Sequence, residues 1–325
     1  MTEFDIETYL NSLTNDVTII NINNKNITYL PDLTRFKNLI ELHCGYNKLK
    51  YLPILPDNLK KLSCQYNQLK YLPILPDNLE KLSCEVNLLS SLPDLHDNLK
   101  ELNCSTNKLI LLPVLPNNLI ELYCHTNLLT YLPMLPDNLR KLSCHNNQLT
   151  YLPTLPNSLK SLFCINNKLI LLPTLPNSLK SLVCINNKLI LLPILPKNLE
   201  ILYCDSNKLT YLPALPDNLE TLCCSNNQLI TLPTFFPNML SKLKYKKNPI
   251  YEIIKTQDII IAEQKISILN KFRYLYYSLK FKKKFRYWLW VRIREPKIIK
   301  TYHPNYLIKH LVDEDTDLNK VLNNW

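Results

Sequence analysis

The sequence predicts a solenoid of about twelve short coils, with a parallel β-sheet on its concave face, an extended, polyproline-like convex face, and an α-helical C-terminal tail. Three observations carry this expectation. A period of 20 residues runs nine times from Leu39 to Leu219 without insertion or deletion, and a fixed period of that length signals stacked repeats. Each period holds one short stretch of alternating apolar and polar residues, and most also hold a Leu-Pro-x-Leu-Pro stretch. That punctuation stops near residue 250, where apolar residues begin to recur at intervals of three and four.

Residues 1–16 precede the first coil, and Phe4, Ile6 and Leu10 there suit a small N-terminal cap. Glu3, Asp5 and Glu7 stand where a secretory signal would be basic, and no apolar run follows, so an intracellular, soluble protein is expected. The first coil, a 22-residue version, begins at Val17, and a final part-coil runs through Leu240, Leu243, Tyr245, Asn248 and Ile250. Residues 17–250 therefore form the array.

One coil illustrates the template. Around Leu62 and Cys64 alternate side chains point inward, as a strand requires. Asn67 ends the strand, and its amide can bond main-chain groups that the turn leaves unpaired. Leu72-Pro73-Ile74-Leu75-Pro76 cannot be helical, because each proline removes a donor and holds its predecessor extended. With a single glycine, Gly45, against 23 prolines, the turns rely on Asn, Asp and Pro. One coil cannot bury both of its faces, so stability has to come from stacking.

The pattern L-x-x-L-x-C-x-x-N-x-L, with L-P-x-L-P ahead of it, resembles the short 20-residue leucine-rich repeat of secreted effectors of enteric bacteria. Some of those effectors add a ubiquitin-ligase domain with a catalytic cysteine. Every cysteine here lies at or before Cys224 and residues 251–325 are too few for such a domain, so ligase activity is not carried over and no enzyme is expected. The cysteine-bearing repeat, together with Ile293–Ile298 and Tyr302–Leu307, also resembles leucine-rich-repeat proteins of giant amoeba viruses of the mimivirus type. That resemblance implies a viral protein in a host cytoplasm or a virion, and virus-host interaction.

Cys44 to Cys224 recur every 20 residues in one inward column, where a small, soft side chain packs well. No C-x-x-C spacing suggests zinc, and no cofactor or small-molecule substrate is expected. Strand alternation points Cys223 outward, which makes it the one candidate reactive thiol, and places His125 and His145 on that face one coil apart, read as polar surface.

The outward columns are where such scaffolds bind. The early coils offer Glu41, Lys61, Lys81 and Glu101. Later coils offer Tyr123, Phe163, Ile165, Val183, Ile185, Ile201 and Tyr203, an apolar collection of the kind that marks an interface. Residues 161–180 and 181–200 are near copies, so duplication is a competing account of Ile165 and Ile185. A non-enzymatic protein-protein interaction scaffold is the expected function, with a partner, host or other, on the concave face.

Residues 1–240 carry 19 basic and 19 acidic side chains, while residues 241–325 carry 19 and 8, so the net charge of +11 falls in the tail. Residues 251–325 read as a basic, aromatic-rich helical region. Tyr274, Tyr277, Phe281, Phe285 and Trp288 make one stripe, and Lys280, Lys282, Lys283, Lys284 and Arg286 fall largely off it, giving an amphipathic helix that Pro296 should end. Shorter helices are expected at 306–311 and 318–322. The stripe suits a cap on the last coil, and the cations suit an anionic membrane, nucleic acid or a nuclear-import role.

Overall fold

The computed structural model describes residues 4–256 and 258–297. The chain divides into two compact units, Met1–Ile266 and Ser267–Trp325. The first holds a twelve-stranded parallel sheet in sequential order: β1 (Ile19–Asn21), β2 (Glu41–His43), β3 (Lys61–Ser63), β4 (Lys81–Ser83), β5 (Glu101–Asn103), β6 (Glu121–Tyr123), β7 (Lys141–Ser143), β8 (Ser161–Phe163), β9 (Ser181–Val183), β10 (Ile201–Tyr203), β11 (Thr221–Cys223) and β12 (Lys242–Lys244). Each strand is in register with the next, so equivalent residues of neighbouring coils lie side by side, as Leu142 does beside Leu162. The stretches with the Leu-Pro punctuation are neither helix nor strand, as the prolines require.

Each inner column is made of one residue type for a packing reason. Leu59, Leu62, Cys64 and Leu69 are fully buried, and Leu72 and Leu75 nearly so. Their counterparts above and below occupy the same positions, so each coil is sealed by copies of itself.

The strand-ending asparagines are the polar counterpart of that core. Asn147 is typical: its Nδ2 donates to Cys124 O and Cys144 O, both at 3.1 Å, and its Oδ1 accepts the Leu129 N–H at 3.0 Å. One carboxamide thus joins its own turn to two segments of the preceding coil. The same pattern runs from Asn67 to Asn227 and closes at Asn248.

The residue before each of these asparagines is left-handed, with φ between 52° and 57° from Tyr46 to Asn226. Asn suits that conformation, and it stands there at Asn146, Asn166, Asn186 and Asn226. Val86, Thr106 and Thr126 are β-branched and strained at the same place, at a cost of about 1–2 kcal/mol each.

Both ends are covered. Helix α1 (Ile6–Asn11) starts on Asp5, whose Oδ1 accepts the Glu7 and Thr8 N–H groups at 3.0 and 3.2 Å, and it buries Ile6 and Leu10. At the other end Tyr245 occupies the cysteine position of the last coil. It is fully buried, bonds to Thr256 O and packs edge-on against Tyr251 at 5.4 Å. Ile250 and Ile254 of α2 (Pro249–Ile254) are buried with it, as are Ala262 and Ile266 near the start of α3 (Ile259–Leu289).

The last coil is closed within its own unit by buried aliphatic residues and one buried tyrosine, whereas Tyr274, Tyr277, Phe281, Phe285 and Trp288 of the expected capping stripe, on the second unit, are all exposed. The opposite side is not purely cationic, since Tyr276, Tyr287 and Trp290 are exposed there too and Lys280 lies 5.6 Å from the Tyr276 ring. Pro296 is itself helical, and the described residues stop one position after it. The chain widens into a π-turn at Trp290–Arg294, where the Glu295 N–H bonds to Trp290 O, and residues 295–297 are helical. The expected helices at 306–311 and 318–322, and the phrase Tyr302–Leu307, lie outside the described residues.

Replacing Asn147 by Ala removes bonds to three buried main-chain groups and is expected to destabilise the array by roughly 2–4 kcal/mol. Asn138, whose exposed amide donates only to Asn117 O, should cost under about 1 kcal/mol as Ala. Urea unfolding followed by circular dichroism compares the two.

Candidate functional site

Side chains that do not enter the core stand on the open face of the sheet in three columns, one at each end of the strand and one just after it. Strands lie about 4.8 Å apart, so neighbours in a column shield one another. The apolar residues are accordingly only half exposed, and Val183, between Phe163 and Tyr203, is buried at 6% exposure. The freely exposed apolar side chains are elsewhere, in the Leu-Pro stretches: Ile74, Met134 and Ile194 are 86–89% exposed.

The structure brings together six of the seven candidate interface residues. Phe163 and Ile165 belong to the β8 coil, Val183 and Ile185 to β9, and Ile201 and Tyr203 to β10, forming one continuous patch. Tyr123 is apart from it, with Ser143 and His145 of the β7 coil between. Its hydroxyl donates to Glu121 at 2.6 Å, and Lys141 Nζ stands 4.9 Å from its ring.

Tyr123 belongs instead to the polar half, whose charges are paired within the face. Glu41 meets His43 at 2.9 Å and Lys61 at 3.4 Å, and Lys81 pairs with Glu101. Around Lys81, Ser83, Glu101, Asn103, Glu121 and Tyr123 the face dips into a hollow of about 270 Å³. Exposed pairs of this kind add little stability individually.

His125 and His145 stack face to face, with ring centroids 4.1 Å apart. Parallel rings do not converge their nitrogens on one point, and among the described residues no group of three or more His, Cys, Asp or Glu could hold a metal ion. Burial, then repulsion from His145, pulls the His125 pKa down to about 4, and burial lowers that of His145.

All eleven cysteines are buried and unpaired. Burial pushes the thiols of Cys44, Cys104, Cys144 and Cys184 up to about 12, which leaves no thiolate at neutral pH. Cys223 does sit in an outward column, but its larger neighbours Tyr203 and Lys244 leave it 4% exposed. Burial, and then nearby Asp205, raises its pKa, so it is not a reactive thiol.

Sequence reasoning placed the last coil but missed its basic side chains. Lys242, Lys244, Lys246 and Lys247 are all exposed there, and Lys242 reaches past Cys223 to Tyr203, with Nζ 3.3 Å from Oη. The run Lys-Leu-Lys-Tyr-Lys-Lys was the available signal.

With this geometry the chain was compared with known proteins. No protein-family model and no curated protein matches it. Solved structures do. YopM from Yersinia enterocolitica is similar at 33% identity and a TM-score of 0.70, the match covering 74% of this chain and 57% of that one. YopM from Yersinia pestis, a leucine-rich effector protein, is similar at 31% identity and a TM-score of 0.54, with 72% and 84% covered. This chain is a leucine-rich-repeat protein. The functional domain of InlJ from Listeria monocytogenes, which includes a cysteine ladder, is similar at 27% identity and a TM-score of 0.62, with 71% and 53% covered. The leucine-rich-repeat chain thus spans little more than half of two of these three proteins.

Both histidines have folded pKa values below the unfolded value of about 6.5, so the stability they permit is complete above that pH and falls as pH drops toward 4. His125→Asn is expected to flatten the fall in melting temperature between pH 6.5 and 4.5 while leaving the value at pH 8 nearly unchanged. Thermal melts of both proteins across that range check it.

Proposed function

We propose that this leucine-rich-repeat protein is a non-enzymatic scaffold that binds a protein on the open face of its sheet. The observation that supports this is the patch over β8 to β10. Six apolar side chains, all but Val183 partly exposed, stand side by side on a face whose early coils are polar and internally paired, and a patch with aromatic members is typical of interfaces. The resemblance to giant-virus proteins is what supports a host protein as the partner and the host cytoplasm or a virion as the place of action.

Phe163→Ser combined with Tyr203→Ser should cut capture of the partner from host-cell lysate about tenfold, a loss typical of interface anchors, with only a few degrees of change in melting temperature. Tyr123→Ser, outside the patch, should leave capture intact. If the double variant retrieves the same proteins in the same amounts, the reading fails.

A second reading concerns the helical region. Between residues 267 and 297 there are ten basic side chains and one acidic, and among the described residues there no side chain is buried. No described helix is long and apolar enough to cross a membrane. Cationic and aromatic side chains exposed together suit an anionic membrane surface or nucleic acid, which would make the chain an adaptor tethered through Lys280, Lys282, Lys283, Lys284 and Arg286. Sedimentation with phosphatidylserine vesicles or with RNA should reveal binding at low salt that weakens sharply at physiological salt. Absence of binding to both at low salt removes this reading.

A further inference from the structure

We infer that the patch over β8 to β10 takes a particular kind of partner segment: an extended one in which an apolar anchor is followed, three to six residues away, by acidic side chains. The inference rests on the protein-binding reading above and adds the chemistry of the partner. Its source is the uneven distribution of charge along the open face.

In the polar half the ionic groups satisfy one another. Glu41 holds His43 and Lys61, Lys81 holds Glu101, and Glu121 takes the Tyr123 hydroxyl beside Lys141. The last coil differs. Lys242, Lys244 and Lys246 continue the three columns of the face, Lys247 follows them, and among the described residues none of the four makes an ion pair.

The carboxylates nearby are otherwise engaged or lie to one side. Asp205 is half-buried and accepts the Ser225 N–H at 2.9 Å, and burial holds its pKa above the usual range. Glu200 pairs with Lys180 at 2.7 Å. Glu220 precedes β11, outside the three columns. Four cations without an ion pair, with only the half-buried Asp205 acting on Lys242 and Lys244 from the face, therefore stand one coil beyond the apolar patch.

The two features are physically continuous. Cys223 is small enough for Lys242 to lean across it, which brings the ammonium 5.4 Å from the Tyr203 ring centroid and within 3.3 Å of its hydroxyl. A segment running along the coils from the patch meets lysines after two to four strand spacings, roughly 10–19 Å, which an extended chain covers in about three to six residues. Acidic groups there would find partners that nothing else on the face supplies, whereas basic ones would meet four like charges.

The test is selection of a displayed library of 12-residue peptides on the full chain, counter-selected on Phe163→Ser/Tyr203→Ser so that only peptides reading the patch remain. The expected winners carry an aromatic or aliphatic anchor with Asp or Glu three to six residues away. Lys242→Glu/Lys244→Glu, two exposed positions whose fold is checked by melting, should weaken those winners about tenfold or more and select basic flanks instead. Winners with neutral or basic flanks on the unchanged protein, or affinities indifferent to the charge reversal, overturn the inference while leaving the protein-binding reading standing. No peptide dependent on Phe163 and Tyr203 overturns both. Single-stranded RNA binding that needs the two lysines but not Phe163 assigns the cations to nucleic acid and overturns the inference as well.

Discussion

The carboxamide at the end of each strand is the contact on which the rest of the solenoid depends. Leucine stacking is non-directional and would tolerate slippage of one coil over the next. The asparagine does not, because it must meet a carbonyl of its own turn, a carbonyl of the preceding coil and an N–H two residues past the preceding asparagine. The longer interval before the last coil illustrates its priority. Between Asn227 and Asn248 the chain has one residue more than usual, yet Leu229 N–H still reaches Asn248 Oδ1 at 3.0 Å and Asn248 still donates to Cys224 O at 2.9 Å. The slack is taken up away from the ladder, where Phe235 is 80% exposed.

Whatever repeats was legible in the sequence, since each column states its environment some ten times. The inward leucines and cysteines, the ladder and the helix-free Leu-Pro stretches could all be read that way. What occurs once could not. Tyr245 closes the last coil where a cysteine would leave a hole, and that choice has no periodic signature. The π-turn at Trp290–Arg294, just before Pro296, occurs once and has no periodic signature either. Exposure on the open face also escaped alternation alone: alternation says which way Val183 and Cys223 point, but strand spacing and larger neighbours decide that both are covered.

Charge shows how a boundary drawn through a coil misleads. Split at residue 240, the array looks neutral and the excess appears to belong to a tail. The structure assigns Lys242 and Lys244 to β12 and leaves Lys246 and Lys247 beside it, so four of those basic groups lie in the solenoid, at the end of the face that also carries the apolar patch. The ten cations between residues 267 and 297 are a separate population on a different unit.

Duplication explains less of the patch than it first suggests. The coils at 161–180 and 181–200 share Ile165 and Ile185, and those two could be inherited copies. They differ at five positions, however, and one of these, Phe163 against Val183, changed its residue while remaining apolar on the open face. Another, Lys180 against Glu200, now joins two coils through an ion pair at 2.7 Å. Ile201 and Tyr203 belong to the following coil, which is not a copy, and they place apolar groups in two columns where Ser161 and Ser181 or a smaller residue would pack equally well against the leucines beneath. Core packing places no demand on these outward positions, so apolar character that persists there while residue identity changes is the part of the pattern that stacking does not account for, and it is the feature on which the proposed protein-binding role rests.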